Sequence, residues 1–318
     1  MEFRILGPME VWSGGQRHHL GWAKERRVLA VLLMRPGRPV AIDVLIDRVW
    51  DGDAPAKARD LLYPHMARIR RALLTLSGEA RLEQRAGAYV LEVDPETIDY
   101  HRFRSLRDQA RAIADSGLPD EAVRLLDEAL QLWRSEPLGG IAGSWAAGRR
   151  RSMHEEFLGT ALERARLMLD RGDHSTLIPD LNELIDRFPD DEKAAELLML
   201  ALHRSGRSGE ALRVYERSRE QLASELGALP TPELRELHRR ILAGDPELMP
   251  SQRPPTITVP SDLPRDLHTF TGRDTELAHL TTMAEKNDTT VSVLAIDGMA
   301  GVGKSTLAIH LAHRLASR

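Results

Sequence analysis

The stretch LLYPHMARIRRALLTLS, from Leu61 to Ser77, decides the fold of the N-terminal part of the chain. Its apolar residues recur at spacings of four, three, four and three, which predicts one buried face of an α-helix. These residues are Leu62, Met66, Ile69, Leu73 and Leu76. At about 100° per residue, Arg68 and Arg71 fall on the opposite side, with His65 and Arg70 on its flanks. Such a helix can enter a DNA major groove, although a solvated cationic surface has the same pattern.

Short β-like runs and two further amphipathic helices surround this stretch. Turn residues separate them, as Gly14-Gly15 and Pro36-Gly37 illustrate. The order of strands, three helices and a hairpin predicts a winged helix-turn-helix with an N-terminal sheet. The predicted elements are strands at Phe3–Leu6 and Glu10–Trp12, helices at Ala23–Met34 and Ile42–Trp50, and hairpin strands at Leu82–Gln84 and Tyr89–Val93.

Two motifs in this segment resemble the OmpR-type DNA-binding domain. HMARIRRAL, at His65–Leu73, is similar to the core of its recognition helix, and QRAGAYVLEV, at Gln84–Val93, is similar to its wing. The resemblance implies that His65, Arg68 and Arg70 face DNA and that Arg85 reaches the minor groove or a phosphate. The helical wheel directs Arg71 outward as well, towards a phosphate.

One residue departs from a regular recognition helix. Pro64 removes a backbone hydrogen bond and clashes with the preceding turn. We therefore expect the helix to kink there, or its regular part to begin near Pro64. Either outcome leaves the roles of Arg59 and Tyr63 open.

Residues 96–246 favour helices almost throughout and contain an internal repeat. SGLPDEAVRLLDEAL, at Ser116–Leu130, matches SGRSGEALRVYERSR, at Ser205–Arg219, and the unit at Arg171–Ile185 begins alike. Gly172 and Gly206 are separated by the tetratricopeptide period of about 34 residues. The repeat predicts an all-α, tetratricopeptide-like domain, a type of scaffold that binds proteins.

Three phrases in this region resemble the bacterial transcriptional activator domain: those at Ala129–Gly140, Leu198–Gly227 and Pro230–Leu242. Such a domain follows an OmpR-type winged helix in AfsR-like activators of the Streptomyces antibiotic regulatory protein (SARP) family. The resemblance implies activation of antibiotic biosynthesis genes, binding to promoter direct repeats as a dimer, and contact with the RNA polymerase holoenzyme and its sigma factor. We assign the polymerase contact to Asp51 and Asp53, although acidic loop residues are often only solvated.

The C-terminal segment carries a complete P-loop pattern. The strand-like run VSVLAID precedes GMAGVGKST, at Gly298–Thr306, and a helix follows. Glycines, here Gly298, Gly301 and Gly303, let backbone N–H groups surround phosphate oxygens, while Lys304 meets the β- and γ-phosphates. Ser305 would hold Mg²⁺ through the nucleotide, and Thr306 beside it is a further predicted nucleotide contact. Together with FTGRDTEL, at Phe270–Leu277, the pattern resembles NB-ARC signalling NTPases, which implies a place for Arg273 near the adenine.

The expected cofactor is ATP or ADP with Mg²⁺, held weakly. No acidic Walker B strand follows the P-loop, so we expect a truncated NTPase domain that does not hydrolyse ATP, whereas a longer protein could. The fold class is mainly α with a small β component. The predicted domains are a winged helix (1–95), a helical activator domain (96–246), a Pro-rich linker (247–266) and a partial α/β P-loop unit (267–318).

The distribution of charge and the absence of cysteine bear on the partner and on the location of the protein. Net charge is −4 over 318 residues, but residues 1–95 hold 15 Lys and Arg against 12 Asp and Glu, which favours an N-terminal nucleic-acid partner. Cysteine is absent, so disulfides are not expected. The longest apolar run has seven residues, which is too short for a membrane span. We therefore expect a cytoplasmic location. The leading interpretation is a DNA-binding activator. The alternatives are a signalling NTPase and a helical-repeat adaptor that docks proteins.

Overall fold

The computed structural model describes residues 1–18, 21–76, 79–249, 274–285, 296, 299 and 303–316. These residues belong to two compact units, Met1–Ser251 and Gln252–Arg318. Within the described ranges, no helix combines the length and apolar character that a bilayer crossing needs.

The first unit begins with a winged helix-turn-helix. A meander β1–β2–β3 precedes three helices, and a second sheet pairs its strands in the order β4–β6–β5. The elements are β1 (Glu2–Arg4), β2 (Glu10–Ser13), β3 (Gln16–His18), α1 (Ala23–Leu33), β4 (Val40–Ala41), α2 (Ile42–Trp50), α3 (Ala58–Leu76), β5 (Arg81–Arg85) and β6 (Ala88–Glu92). The prediction of three helices and a hairpin is confirmed, while β3 and β4 were not predicted.

Helix α3 is held by the apolar face that its sequence spacing predicts. Leu62, Met66, Ile69 and Leu73 are buried, and Leu76 packs partly buried against the same core. The helix is continuous across Pro64 and begins six residues before it, at Ala58. Tertiary packing on both sides of Pro64 therefore outweighs the loss of one backbone hydrogen bond.

The wing is a tight hairpin. Arg85 pairs with Ala88 across a two-residue turn in which Ala86 and Gly87 both have positive φ, 42° and 78°. Such a turn matches the right-handed twist of the flanking strands and gives the hairpin a narrow tip. The backbone of Ile42, at the start of α2, donates to the carbonyl of Gly87 and fixes that tip to the helices.

The rest of the first unit is a stack of helices. They are α4 (Asp99–Asp115), α5 (Pro119–Gln131), α6 (Ser144–Arg171), α7 (His174–Arg187), α8 (Glu192–Arg204), α9 (Ser208–Gln221) and α10 (Pro232–Leu242). The three repeat units predicted from sequence correspond to the turns before α5, α7 and α9. In each turn a glycine has positive φ, namely Gly117, Gly172 and Gly206. Packed chain continues beyond α10 to Leu248, whose carbonyl accepts from Arg204 Nε at 2.8 Å.

The winged helix and the helical domain share one core. Apolar residues of α4, α6 and the α5–α6 connection are packed with those of the winged helix in one continuous cluster. At its centre the buried carboxylate of Asp99 accepts the backbone N–H groups of Ile5 and Leu6 at 2.8–2.9 Å. The connection also pairs with the N-terminal segment, since Arg134 N donates to Leu6 O and Leu138 N donates to Ile5 O. These contacts make the two domains a single packed body.

The second unit is described only in part. It contains α11 (Asp274–Glu285) and α12 (Lys304–Ala316), which pack through Leu277, Leu307 and Leu311. Helix α12 begins at the lysine of the P-loop pattern, as the sequence predicts.

Candidate nucleic-acid interface

The outward side of α3 presents the two arginines that the helical wheel places there. Arg68 and Arg71 are both exposed, and with His18 of β3 they border a groove of about 330 Å³. Arg59, one of the residues left open by the sequence, is also exposed and pairs with Asp43 of α2 at 3.0 Å. The surface of α3 is therefore cationic on the side opposite its buried stripe.

A buried carboxylate of α1 anchors this surface. Glu25 is 3% exposed, and its Oε1 lies 2.8 Å from His65 Nδ1 and 2.9 Å from Arg68 Nη1. Its Oε2 accepts the backbone N–H of Trp22, so the same side chain caps α1. Burial alone would raise the pKa of Glu25, but the hydrogen bonds from His65 and Arg68 outweigh it and hold that pKa at about 2. Glu25 is consequently ionised and fixes one end of the Arg68 guanidinium.

The predicted DNA contacts differ in how they are held. Arg68 remains 58% exposed despite its bond to Glu25, whereas His65 is half-buried against that carboxylate. Arg70 is also half-buried, and its Nε donates to the carbonyl of Leu82 in β5 at 2.9 Å. Arg70 thus joins α3 to the wing. Direct contact of all five predicted residues with DNA stays a prediction; they are His65, Arg68, Arg70, Arg71 and Arg85.

Arg85 lies beside the tip of the wing. Its Nη2 is 2.7 Å from Glu83 Oε2 and 2.8 Å from Glu92 Oε1. The pKa of Arg85 is raised, mainly because its guanidinium donates a hydrogen bond to Glu83 and to a smaller extent because of Glu92. The side chain is exposed, so a phosphate would compete with two carboxylates for it.

Sequence reasoning missed two residues of this surface, His18 and Glu25. Glu25 has a local signal, because an acidic residue at the third position of a predicted helix is typical of a capping box. No local sequence signal predicts its contacts with His65 and Arg68, because these partners are 40 and 43 residues away along the chain. His18 lies on β3, a three-residue strand that was not predicted.

The two acidic residues assigned to polymerase contact have different environments. Asp51 ends α2 in the left-handed conformation, and its Oδ1 accepts the backbone N–H and the hydroxyl of Ser144 at 2.8 and 2.6 Å. Those hydrogen bonds from Ser144 lower the pKa of Asp51. Asp51 therefore caps α6 and connects the winged helix to the helical domain. Asp53 is exposed in the α2–α3 loop. Their contact with polymerase stays a prediction.

Only part of the segment with the P-loop sequence pattern is described. Gly303 has a φ of 83°, α12 begins at the next residue, and Lys304 Nζ donates to Met299 O at 2.8 Å. Ser305 is exposed and Thr306 half-buried in the first turn of α12. The remaining predicted nucleotide contacts, Arg273, Gly298 and Gly301, lie outside the described residues.

Both domains of the first unit match known families. Residues 16–101 match the family described as "Transcriptional regulatory protein, C terminal", and residues 98–242 match the "Bacterial transcriptional activator domain". The transcriptional regulator RedD of Streptomyces coelicolor is 34% identical over 78% of this chain and 72% of its own length. The chain belongs to the SARP family. This assigns it to a class of transcriptional activators and confirms the resemblance seen in residues 1–246.

Two further comparisons concern a longer relative and a solved structure. The regulatory protein AfsR of Streptomyces griseus is 35% identical over 99% of this chain, which spans 32% of the length of that relative. The structure of Mycobacterium tuberculosis EmbR in complex with a low-affinity phosphopeptide superimposes with a TM-score of 0.73 and 28% identity, over 77% of this chain and 65% of that one. The winged helix followed by a helical domain is therefore an architecture that a solved relative shares.

Proposed function

We propose that this SARP chain binds promoter DNA by inserting α3 into the major groove, with the wing on the adjacent minor groove or backbone. The observation that carries the proposal is the geometry of α3. Its apolar stripe is buried in the domain core, while Arg68 and Arg71 are exposed on the other side. A rigidly seated helix with an outward guanidinium can bring paired donors to the O6 and N7 acceptors of guanine.

The arginines have separate roles in this mechanism. Arg68, held at one end by Glu25, reads a base edge, because a fixed guanidinium loses little conformational freedom on binding. Arg71 and Arg85 contact phosphates, which supply most of the affinity and make it depend on salt. His65 and Arg70 hold the helix against α1 and the wing and approach the DNA from its flanks.

We further propose that two copies bind direct repeats side by side and recruit RNA polymerase to antibiotic biosynthesis genes. The family supports this regulatory role. The shared core of the winged helix and the helical domain supports a fixed spacing between the copies, because it packs the two domains together. The exposed Asp53 offers an acidic contact to a basic surface of polymerase or sigma factor, whereas Asp51 mainly positions that loop on Ser144.

The C-terminal unit would bind ATP or ADP with Mg²⁺ and bias the regulator between DNA-binding and inactive states. Lys304 and Thr306 would contact the nucleotide, and Ser305 would hold the metal ion through the nucleotide. The support is the helix N-terminus at Lys304, which favours negative charge, and the positive φ of Gly303.

Fluorescence anisotropy on promoter-derived duplexes with one or two direct repeats tests the proposed DNA contact. We expect tight, salt-dependent binding to two repeats. Arg68→Ala should raise the Kd of the specific duplex by roughly tenfold or more, since a bidentate base contact contributes about 1–3 kcal/mol. Arg151→Ala, on the exposed side of α6, is a control with the same loss of charge. Equal and weak binding of every duplex, with no effect of Arg68→Ala, would instead favour a protein-docking role.

A further inference from the structure

Three arginines of the winged helix and α6 lie near the contact between Arg48 and Trp145, where the charges of two of them act on Arg48. Arg35 follows α1, Arg48 lies on α2, and Arg149 lies on α6; we call them the junction arginines. Within the described residues, no carboxylate oxygen lies within 4.0 Å of their guanidinium groups, whereas the neighbouring Arg104 and Arg150 do form such pairs. The junction arginines thus concentrate positive charge without a contacting counterion from the described chain.

A side-chain contact between α2 and α6 places two of these arginines. The guanidinium carbon of Arg48 lies 5.7 Å from the centre of the Trp145 ring. Arg149 is four residues further along α6, so it is on the same face of that helix, one turn away. Its Nη2 donates to the Tyr100 hydroxyl at 3.3 Å, and its buried Nε has no hydrogen-bond partner among the described residues. One donor of Arg149 therefore remains unsatisfied at the junction.

The electrostatic environment agrees with this geometry. Burial lowers the pKa of Arg48, and the charges of Arg35 and Arg149 lower it further, while Asp47 acts in the opposite direction. Arg35 and Arg149 are consequently close enough to Arg48 to repel it. Such repulsion is a cost that a bound anion would remove.

Two acidic residues beside the junction are engaged by other groups. Glu156 accepts the Tyr100 hydroxyl at 2.7 Å and Arg107 Nη1 at 3.1 Å. Asp51 is held by Ser144. Among the described groups, Asp47 is the carboxylate whose charge opposes the shift at Arg48, so three guanidinium groups face one carboxylate there.

We propose that the junction arginines form a binding site for a phosphate group. Guanidinium forks match the oxygens of phosphate, and donors from three elements suit a tetrahedral group better than a planar carboxylate. The group could be free orthophosphate or part of a DNA backbone, which present the same oxygens. Because Arg35 and Arg48 belong to the winged helix and Arg149 to the helical domain, the bound phosphate ties the two domains together and stabilises the folded chain.

The test is calorimetric titration and thermal unfolding of the full 318-residue chain in a phosphate-free buffer. Orthophosphate is one probe and a duplex of random sequence is the other, each compared with sodium chloride at matched ionic strength. The variants are Arg48→Gln and Arg149→Gln. Arg151→Gln is the matched control, because Arg151 lies on the same helix as Arg149 but is exposed about 200° around it.

We expect orthophosphate to raise the melting midpoint of the wild type and of Arg151→Gln. The Kd should rise about tenfold in Arg48→Gln and in Arg149→Gln, the effect of losing one hydrogen bond between charged groups. Should those variants fail to fold, Arg35→Gln removes an exposed member of the site and must show the same loss. An arginine-dependent response to the duplex alone would assign the phosphate to DNA. If no probe distinguishes the junction variants from Arg151→Gln, the proposal is wrong.

Discussion

At the scale of single residues, Glu25 links folding to recognition. The same buried carboxylate caps α1 and holds both His65 and Arg68 of α3. A buried acid whose charge is matched in this way orders a cation at low entropic cost. Glu25 therefore positions the Arg68 guanidinium, and in the proposed function it acts on DNA recognition only through Arg68.

Replacing Glu25 with Gln should separate affinity from specificity. The variant frees the Arg68 guanidinium, so binding to random-sequence DNA should stay equal or become tighter. Binding to the specific site should weaken. The affinity for the specific site divided by that for random DNA should therefore fall roughly tenfold, because about one base contact is lost. Anisotropy with both duplexes measures the ratio. A parallel loss on both duplexes would mean that Glu25 only stabilises the fold.

At the scale of elements, α3 is held by packing more than by helix propensity. The continuous helix through Pro64 is the clearest sign, because proline in a helix interior costs about 3 kcal/mol and must be compensated elsewhere. The compensation comes from the buried stripe, which includes Leu62 before the proline and Leu73 after it.

Two adjacent leucines of α3 provide a matched comparison. Leu73 is fully buried and Leu74 is 60% exposed. Leu73→Ala should lower the free energy of unfolding by about 2–5 kcal/mol, because it leaves a cavity under the helix. Leu74→Ala should change it by less than about 0.5 kcal/mol. Urea unfolding followed by circular dichroism measures both. Similar losses in the two variants would contradict the assigned face of the helix.

Periodicity and local motifs predict the elements well but not their contacts. The 3.6-residue spacing in α3 and the Gly-containing turns before α5, α7 and α9 are local signals, and the structure confirms them. Strand β4, only two residues long, has no periodicity and exists because it pairs with β6 of the wing. The engagement of Arg70 by a backbone carbonyl, and of Asp51 by Ser144 93 residues away, depends on tertiary packing that no short pattern encodes.

At the scale of the whole molecule, the first unit should respond to pH through Asp99. Burial raises the pKa of Asp99 to about 6, against the hydrogen bonds from Ile5 and Leu6. An unfolded chain has a pKa near 3.8, so between these values the folded chain keeps a proton that the unfolded chain has lost. The free energy of unfolding should therefore fall as pH rises from about 4 to 6, by at most about 3 kcal/mol.

Comparison with Asp99→Asn isolates this effect, because the amide does not titrate in that range. The difference in unfolding free energy between wild type and variant should change between pH 4 and 6 and be constant above about pH 7. Denaturant titrations at a series of pH values measure it. Curves that stay parallel throughout would show that Asp99 has the same pKa in both states.

The central claim is that α3 and the wing of this chain read a promoter sequence. The most direct measurement is selection of bound duplexes from a random library by the full chain, with Arg68→Ala selected in parallel. We expect the selected duplexes to carry a direct repeat whose half-sites are separated by about one helical turn, and Arg68→Ala to lose its preference at one position of each half-site. An unenriched library, or the same motif from both proteins, would contradict it.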